Sequence, residues 1–283
     1  MLAKSRDNLN QDFELKELGQ IKYFNCKELD KTDLVITAFT TRTGGVSKTP
    51  FNELNLSYNV GDEENRVAEN RKIIFDALGI DYRTAVTAQQ VHKDRIALIR
   101  KEDKGKGAIK YHEGIAQTDA LITDISGIPL LICYADCVPI FILDPVKKVI
   151  ALIHSGRKGT ELELTLKTLF KMKKIFKTDP HSCLAAIFPS IGPCCYNIEE
   201  KNKIDNYWLN KEKYNRKPIS RQNKSGWSLD LRKANYGQLI RGGVVEKNIF
   251  VNRICTADHP ELFFSYRRDK GNTGRMAAIF MLK

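Results

Sequence analysis

The chain has 283 residues, 42% hydrophobic and 28% charged, with a formal net charge of +12 and a pI near 9.3. Such a chain can bury a full core, and its seven cysteines, odd in number and irregularly spaced, fit a reducing compartment better than a disulfide framework. The basic excess is scattered over residues 101–110, 167–177 and 201–224 without an RNP, zinc-finger or helix-turn-helix pattern, which argues for a solvated lysine surface that attracts small anions and against specific nucleic-acid binding.

No Pro/Ser/Gly-rich linker and no solenoid-period repeat divides the sequence, so a single domain over residues 1–283 is expected, with residues 1–20 as a loosely attached N-terminal segment. That polar start lacks a signal-peptide h-region. The most apolar run, residues 128–143, is shorter than the ~20 residues of a membrane helix and contains Asp136. A soluble, cytoplasmic protein with no membrane partner is the expectation.

In chain order, residues 34–40 alternate and branch as a strand and run into Thr41-Arg42-Thr43-Gly44-Gly45. The double glycine permits close backbone approach, so this loop is either an anion cradle with Arg42 or an ordinary hairpin turn. A helix is expected between Gly61 and Gly79, with Asp62, Glu63 and Glu64 where the helix dipole favours them. Val67, Ile74 and Leu78 form its apolar stripe, and Arg71 falls on the same stripe. A buried guanidinium needs either a carboxylate or an anion, and a bound anion is the preferred partner because Arg42 is expected nearby in the fold.

Residues 85–91 read as a strand ending at His92, which alone is either a satisfied histidine or a metal ligand. Residues 101–114 read as an exposed loop and 118–123 as a strand. Residues 128–160 carry the chemistry: two apolar strands fold back at Asp144-Pro145, with Cys137 on the first and His154 ending the second. A hairpin symmetric about Pro145 and Val146 places Cys137 directly opposite His154, and facing residues have Cβ atoms roughly 4.5–5.5 Å apart, close enough for a thiolate and an imidazole to share a metal. Cys137 also has a plain reading as a buried strand thiol.

The loop from His154 to Thr160 leads into a helix carrying Leu162, Leu166, Leu169, Phe170 and Phe176, an anion-binding position without the Gly-Lys-Ser/Thr ending of a Walker loop. Residues 184–188 form a short strand before the stiff turn Gly192-Pro193-Cys194-Cys195, where the two thiols are either buried or joined as a vicinal disulfide. Residues 201–225 read as surface helix and loop, Asp230 to Gly242 as a helix, 249–254 as a strand, and 263–280 as a final hairpin whose last strand belongs inside the fold.

Thr41-Arg42-x-Gly44-Gly45-Val46-Ser47, Asn55-Leu56, Gly61-Asp62, Asn70-Arg71, Gln90-Val91-His92, Thr118-Asp119-Ala120, Ala135-Asp136-Cys137-Val138-Pro139, His154-Ser155-Gly156, Ile191-Gly192-Pro193-Cys194-Cys195-Tyr196 and Phe264-Ser265-Tyr266-Arg267-Arg268-Asp269 follow one another as blocks that together resemble the YfiH-type laccase-domain family. The resemblance runs from about residue 34 to the C-terminus. It implies a compact α/β (α+β) single domain with mixed β-sheets flanked by helices. It also implies a zinc site on His92, Cys137 and His154 that is the catalytic set, and phosphorolysis of purine nucleosides (adenosine, inosine or methylthioadenosine) with phosphate. Members are also described as deaminating adenosine, and older names call them polyphenol oxidases or peptidoglycan editing factors. A copper-dependent laccase-like oxidase and a hydrolase in peptidoglycan precursor editing are therefore the alternatives. One departure stands out: after His-Ser-Gly the family usually has Trp-Arg-Gly-Thr, and here Arg157-Lys158-Gly159-Thr160 follows.

Phosphorolysis needs an anion cradle, stabilisation of an oxocarbenium-like ribose and help for the departing base. Arg42, Arg71 and Arg275, the amides at Gly44 and Gly45, and Asn55 are the candidate phosphate or substrate contacts. Five histidines in all cannot supply a trinuclear copper cluster and a separate type 1 site. The H-x-E and P-C-x-x-C pattern of zinc deaminases is missing as well.

Overall fold

The computed structural model describes residues 11–198, 206–209, 220–223 and 226–283. Most of the polar stretch 201–225, read above as surface helix and loop, lies outside the described residues.

In order, the chain forms β1 (Phe13–Leu18), β2 (Ile21–Cys26), α1 (Lys27–Asp30), β3 (Val35–Thr40), α2 (Glu64–Ala77), β4 (Val86–Thr87), β5 (Ile96–Leu98), β6 (Ala120–Thr123), β7 (Leu130–Tyr134), β8 (Val138–Asp144) and β9 (Val149–Ser155). It continues through α3 (Arg157–Glu161), α4 (Leu164–Phe176), β10 (Leu184–Ile187), β11 (Asn197–Ile198), α5 (Asn206–Leu209), β12 (Ser220–Asn223), β13 (Gly226–Leu229), α6 (Leu231–Arg241), β14 (Ile249–Val251) and β15 (Met276–Leu282).

Two six-stranded mixed sheets dominate, in the orders β1-β2-β3-β15-β7-β4 and β14-β10-β8-β9-β6-β5, with a small sheet β11-β13-β12 beside them. The two large sheets pack face to face. Alternate residues of the central strands enter the layer between them, Phe39, Phe141, Leu152 and Phe280 among them, joined by Phe188 just beyond the end of β10. The opposite face of the first sheet, with Ala38, Leu131 and Ile279, is covered by Ile74 and Phe75 of α2. The outer face of the second, with Ile140, Ile142, Ala151 and Ile153, is covered by Leu164, Leu169 and Met172 of α4 and by Leu239 of α6. Both faces of β8 and β9 are thus buried, which is why they read as unbroken apolar runs. The α/β expectation of mixed sheets flanked by helices holds, in four layers.

Three expectations are corrected. Residues 13–18 are not a loose leader: β1 pairs with β2 along its whole length, Phe13 against Cys26 through Leu18 against Ile21, and Phe13 enters the inter-sheet core. The run 128–143 is two strands: β7 belongs to the first sheet, β8 to the second, and the chain crosses between the sheets at residues 135–137, with Asp136 at φ 86°. Residues 263–265 have no regular structure and 266–269 form turns, so β15 has no hairpin partner there; it lies between β3 and β7, in the middle of the first sheet. No helix among the described residues is long and apolar enough to cross a membrane.

Candidate metal centre and active site

Two crossovers from the first sheet to the second meet at one end of the inter-sheet layer. The link from β4 to β5 carries His92, and the link from β7 to β8 carries Cys137. The tight points of both use left-handed backbone, His92 at φ 58° and Asp136 at φ 86°. Strand β9 brings His154 to the same end. The ligating atoms of His92, Cys137 and His154 all lie within 4.8 Å of one another, and the rings of His92 and His154 are 4.8 Å apart, edge to face.

The hairpin expectation put Cys137 opposite His154; the register is different. Pro139 faces His154 and Val138 faces Ser155, because the turn after Asp144 holds four residues. Continued by one pair, Cys137 lies across from Gly156. The slip is of two residues, so parity is kept and both side chains still point into the inter-sheet face; a one-residue slip would have parted them. Gly156 makes the diagonal contact sterically feasible: a Cβ there would stand 2.7 Å from Cys137 Sγ and 3.5 Å from His92 Cδ2.

Asp119, fully buried at the start of β6, organises the centre. Its Oδ1 lies 2.8 Å from His154 Nδ1, and the carboxylate accepts the backbone N–H groups of Val91 (3.3 Å), His92 (3.0 Å) and Lys93 (2.9 Å). One carboxylate therefore fixes the ring of one histidine and the backbone of the other. With Nδ1 engaged by Asp119, His154 turns Nε2 toward Cys137, the arrangement in which a histidine with a carboxylate partner could ligate a metal. The Tyr134 ring packs against His154 at 5.3 Å while its hydroxyl donates to Ile153 O.

Burial works against charge on Cys137, yet the His154 charge and hydrogen bonds from both histidines bring the thiol down to about 6. Burial likewise works against an imidazolium at His154, and the Cys137 thiolate with Asp119 raises it to about 9. Asp119 is held below the usual carboxylate range: burial opposes this, but the hydrogen bond and charge of His154 prevail. The metal-free centre is thus a thiolate–imidazolium pair ready to exchange one proton for a cation. Two imidazoles and a thiolate fit a tetrahedral divalent metal with a fourth position left over, and His92 is exposed while His154 is buried, so the centre opens on the His92 side.

The other expected contacts divide. Arg275 lies in this environment: its charge faces Cys133, Tyr266, Cys137 and Asp136, its Nη1 donates to Thr273 O and Gly274 O, and its Nε and Nη2 make no hydrogen bond among the described residues. Arg71, expected on an anion, is instead clamped on backbone. Its guanidinium makes four hydrogen bonds to the carbonyls of Leu56, Gly107 and Ala108 and stacks 4.4 Å from the Tyr58 ring. Arg42 donates to Asn52 O and Pro260 O and covers Phe264. Asn55 is fully buried and its Oδ1 accepts the Arg275 N–H, so it holds the backbone of Arg275. The Gly44 N–H is bound to Glu53 Oε2, and Gly45 packs so close to Glu53 O and Asn70 Oδ1 that a Cβ would stand 2.4 Å and 2.5 Å from them; this loop serves packing.

The loop after His154 folds into the single turn α3. Burial pushes the Tyr196 phenol up, and Arg157, Cys137 and Arg267 face it, so the residue at the family's tryptophan position borders the centre. Asp119 and Gly156 escape a reading by residue type: a strand-entry aspartate and a loop glycine are commonplace, and only their place in the matched blocks marked them.

The family model described as multi-copper polyphenol oxidoreductase laccase matches residues 36–283. Among curated proteins, purine nucleoside phosphorylase YlmD of Bacillus subtilis (strain 168) is 34% identical over 255 residues, 88% of this chain and 89% of that protein. Purine nucleoside phosphorylase YlmD of Geobacillus stearothermophilus is 35% identical over 244 residues, 86% and 89% of the two chains. Among solved structures, the hypothetical protein YfiH of Bacillus licheniformis superposes with a TM-score of 0.89 at 33% identity, over 96% of this chain and all of that one.

Proposed function

The chain belongs to the family described as multi-copper polyphenol oxidoreductase laccase, and from that membership we propose that it is a zinc-dependent purine nucleoside phosphorylase, cleaving adenosine, inosine or methylthioadenosine with inorganic phosphate. The observation that carries the reading is a three-donor centre of His92, Cys137 and His154, open on one side, with the Arg275 guanidinium beside it. Relatives that this chain matches over most of their length bear the phosphorylase name.

In phosphorolysis the C1′–N9 bond of the nucleoside breaks, a phosphate oxygen forms the new bond to C1′, and the base leaves with a proton. Zinc held by His92, Cys137 and His154 would supply a Lewis acid at its remaining position. Asp119 keeps the His154 ring in one orientation and one tautomer. Arg275 offers Nε and Nη2 to the phosphate, with Arg157 and Arg267 adding positive charge around Tyr196. The buried inter-sheet wall of Tyr134 and His154 closes the back of the site.

A multicopper oxidase finds less support. The two groups of clustered ligands among the described residues contain two histidines between them, His92 and His154. The test is base release from inosine and adenosine with and without phosphate. Release only with phosphate is expected. Phosphate-independent release would make the protein a hydrolase, and oxygen uptake with a phenol would make it an oxidase. Ammonia from adenosine would add deamination to the same centre.

A further inference from the structure

The loop after β10 and the segment after β14 carry a second group of metal-type donors: Cys194 and Cys195 from one, Cys255 and Asp258 from the other. The strands that deliver them are parallel neighbours, and the two loops remain joined by a bridge between Ser190 and Cys255. The three sulfurs and a carboxylate oxygen all lie within 4.8 Å of one another. Around a tetrahedral zinc with bonds of about 2.3 Å to sulfur, sulfurs stand roughly 3.8 Å apart, so small side-chain adjustments bring these donors onto one ion.

Burial and the Asp258 carboxylate push the Cys194 and Cys195 thiols up, Cys194 to about 12, so they keep their protons until a cation takes their place. Cys194 Sγ and Cys195 Sγ both point at the Asp258 carboxylate, at 3.0 Å and 2.8 Å, and the Gly192 N–H donates to Cys255 Sγ at 3.1 Å. An N–H aimed at sulfur is what a metal-bound thiolate accepts. The buried Arg232 guanidinium has Cys255 and Cys194 among the groups facing its charge. Three thiolates and a carboxylate around a divalent ion carry a net charge of −2, and Arg232 offsets part of it.

We propose that Cys194, Cys195, Cys255 and Asp258 form a second, structural site for a thiophilic divalent cation, zinc above all. Four protein ligands close it, in contrast to the open three-ligand centre. Binding displaces the thiol protons to solvent and needs no oxidant. The site also braces the first one. Ile191 N–H donates to Asp136 O and Thr256 Oγ1 to Asp136 Oδ1, so both loops that the metal would clamp are tied to the residue preceding Cys137.

The experiment counts metal and leaves turnover aside, so it stands or falls separately from the phosphorylase reading. Full-length protein, reduced and dialysed against zinc, is assayed for zinc per chain alongside Cys137→Ala, Cys194→Ser and Asp258→Ala. Two zinc per chain are expected in the parent. Cys137→Ala and Cys194→Ser should each lose one, and Cys137→Ala combined with Cys194→Ser should lose both. Cys194 and Asp258 are exposed, so neither substitution should compromise folding. Cobalt added to Cys137→Ala protein should give sulfur-to-metal charge-transfer absorption that Cys194→Ser removes and Asp258→Ala weakens. A Cys137→Ala protein that binds neither zinc nor cobalt overturns the proposal, as does a thiol count showing Cys194 and Cys195 joined as a disulfide under reducing conditions.

Discussion

Asp119 Oδ1 lies 2.8 Å from His154 Nδ1, and the same carboxylate accepts the His92 backbone N–H at 3.0 Å. Two of the three ligands of the candidate metal centre are therefore oriented by one residue that contributes no ligand itself. Asp119→Asn keeps the size but loses the charge, and an amide N–H turned toward Nδ1 would leave the ring proton on Nε2, where the metal should sit. Zinc affinity should fall about 10–100-fold, the range for such supporting partners. Chelator competition measures it, and an unchanged affinity would remove Asp119 from the centre.

The proton inventory predicts how that affinity varies with pH. With Cys137 near 6 and His154 near 9, the metal-free centre between those values holds a thiolate and one ring proton too many. Zinc must displace that proton, so its affinity should rise about tenfold per pH unit from 6 to 9 and level off above. Below 6 the thiol proton must leave too, and the slope should steepen. A flat zinc titration over this range would contradict the ion pair.

Gly156 has φ −75°, so alanine there meets no backbone strain and the effect of Gly156→Ala is steric alone. The new Cβ, 2.7 Å from Cys137 Sγ, must push the thiol or the β9 end aside. Overpacking of this kind costs about 1–3 kcal/mol. A lowered melting temperature together with reduced zinc binding is the expected result, and full zinc occupancy in the variant would show that the diagonal contact has slack.

Arg275→Met keeps an unbranched apolar stem beside Tyr266 and removes the charge. A lost charge-assisted hydrogen bond of roughly 1.5–3 kcal/mol translates into about a ten- to hundredfold rise in the KM for phosphate. The KM for nucleoside should move less and zinc content should stay as it is. Initial rates at varied phosphate decide it, since equal changes in both KM values would point to a general structural role.

Much of the fold is legible along the chain because burial leaves local signatures. The apolar runs of β8 and β9 reflect strands covered on both faces, and α2 lies within one or two residues of its glycine-bounded expectation. Strand β15 shows by its hydrophobicity alone that the last residues belong inside the fold. The break at residues 135–137 is not legible, since an apolar stretch looks the same whether it stays in one sheet or crosses to another. Arg71 makes the same point at the side-chain level. Its position on an apolar stripe correctly foretells burial, but whether an anion or three carbonyls satisfy it depends on residues 56, 107 and 108, which only folding brings near.

By itself the sequence named candidate donors: Cys137 and His154 as residue types on facing strands, and His92 through the company of the family blocks. Residue types and motifs are local, and they survive without coordinates. The tertiary structure decided everything that depends on register and on long-range approach. A four-residue turn moved the partner of His154 from Cys137 to Pro139, and two sheet crossovers brought His92 and Cys137 together. The same long-range packing gathered Cys194, Cys195, Cys255 and Asp258 around one point. Their separation along the chain is about sixty residues, and no periodicity encodes a contact made by two loops at the ends of neighbouring parallel strands.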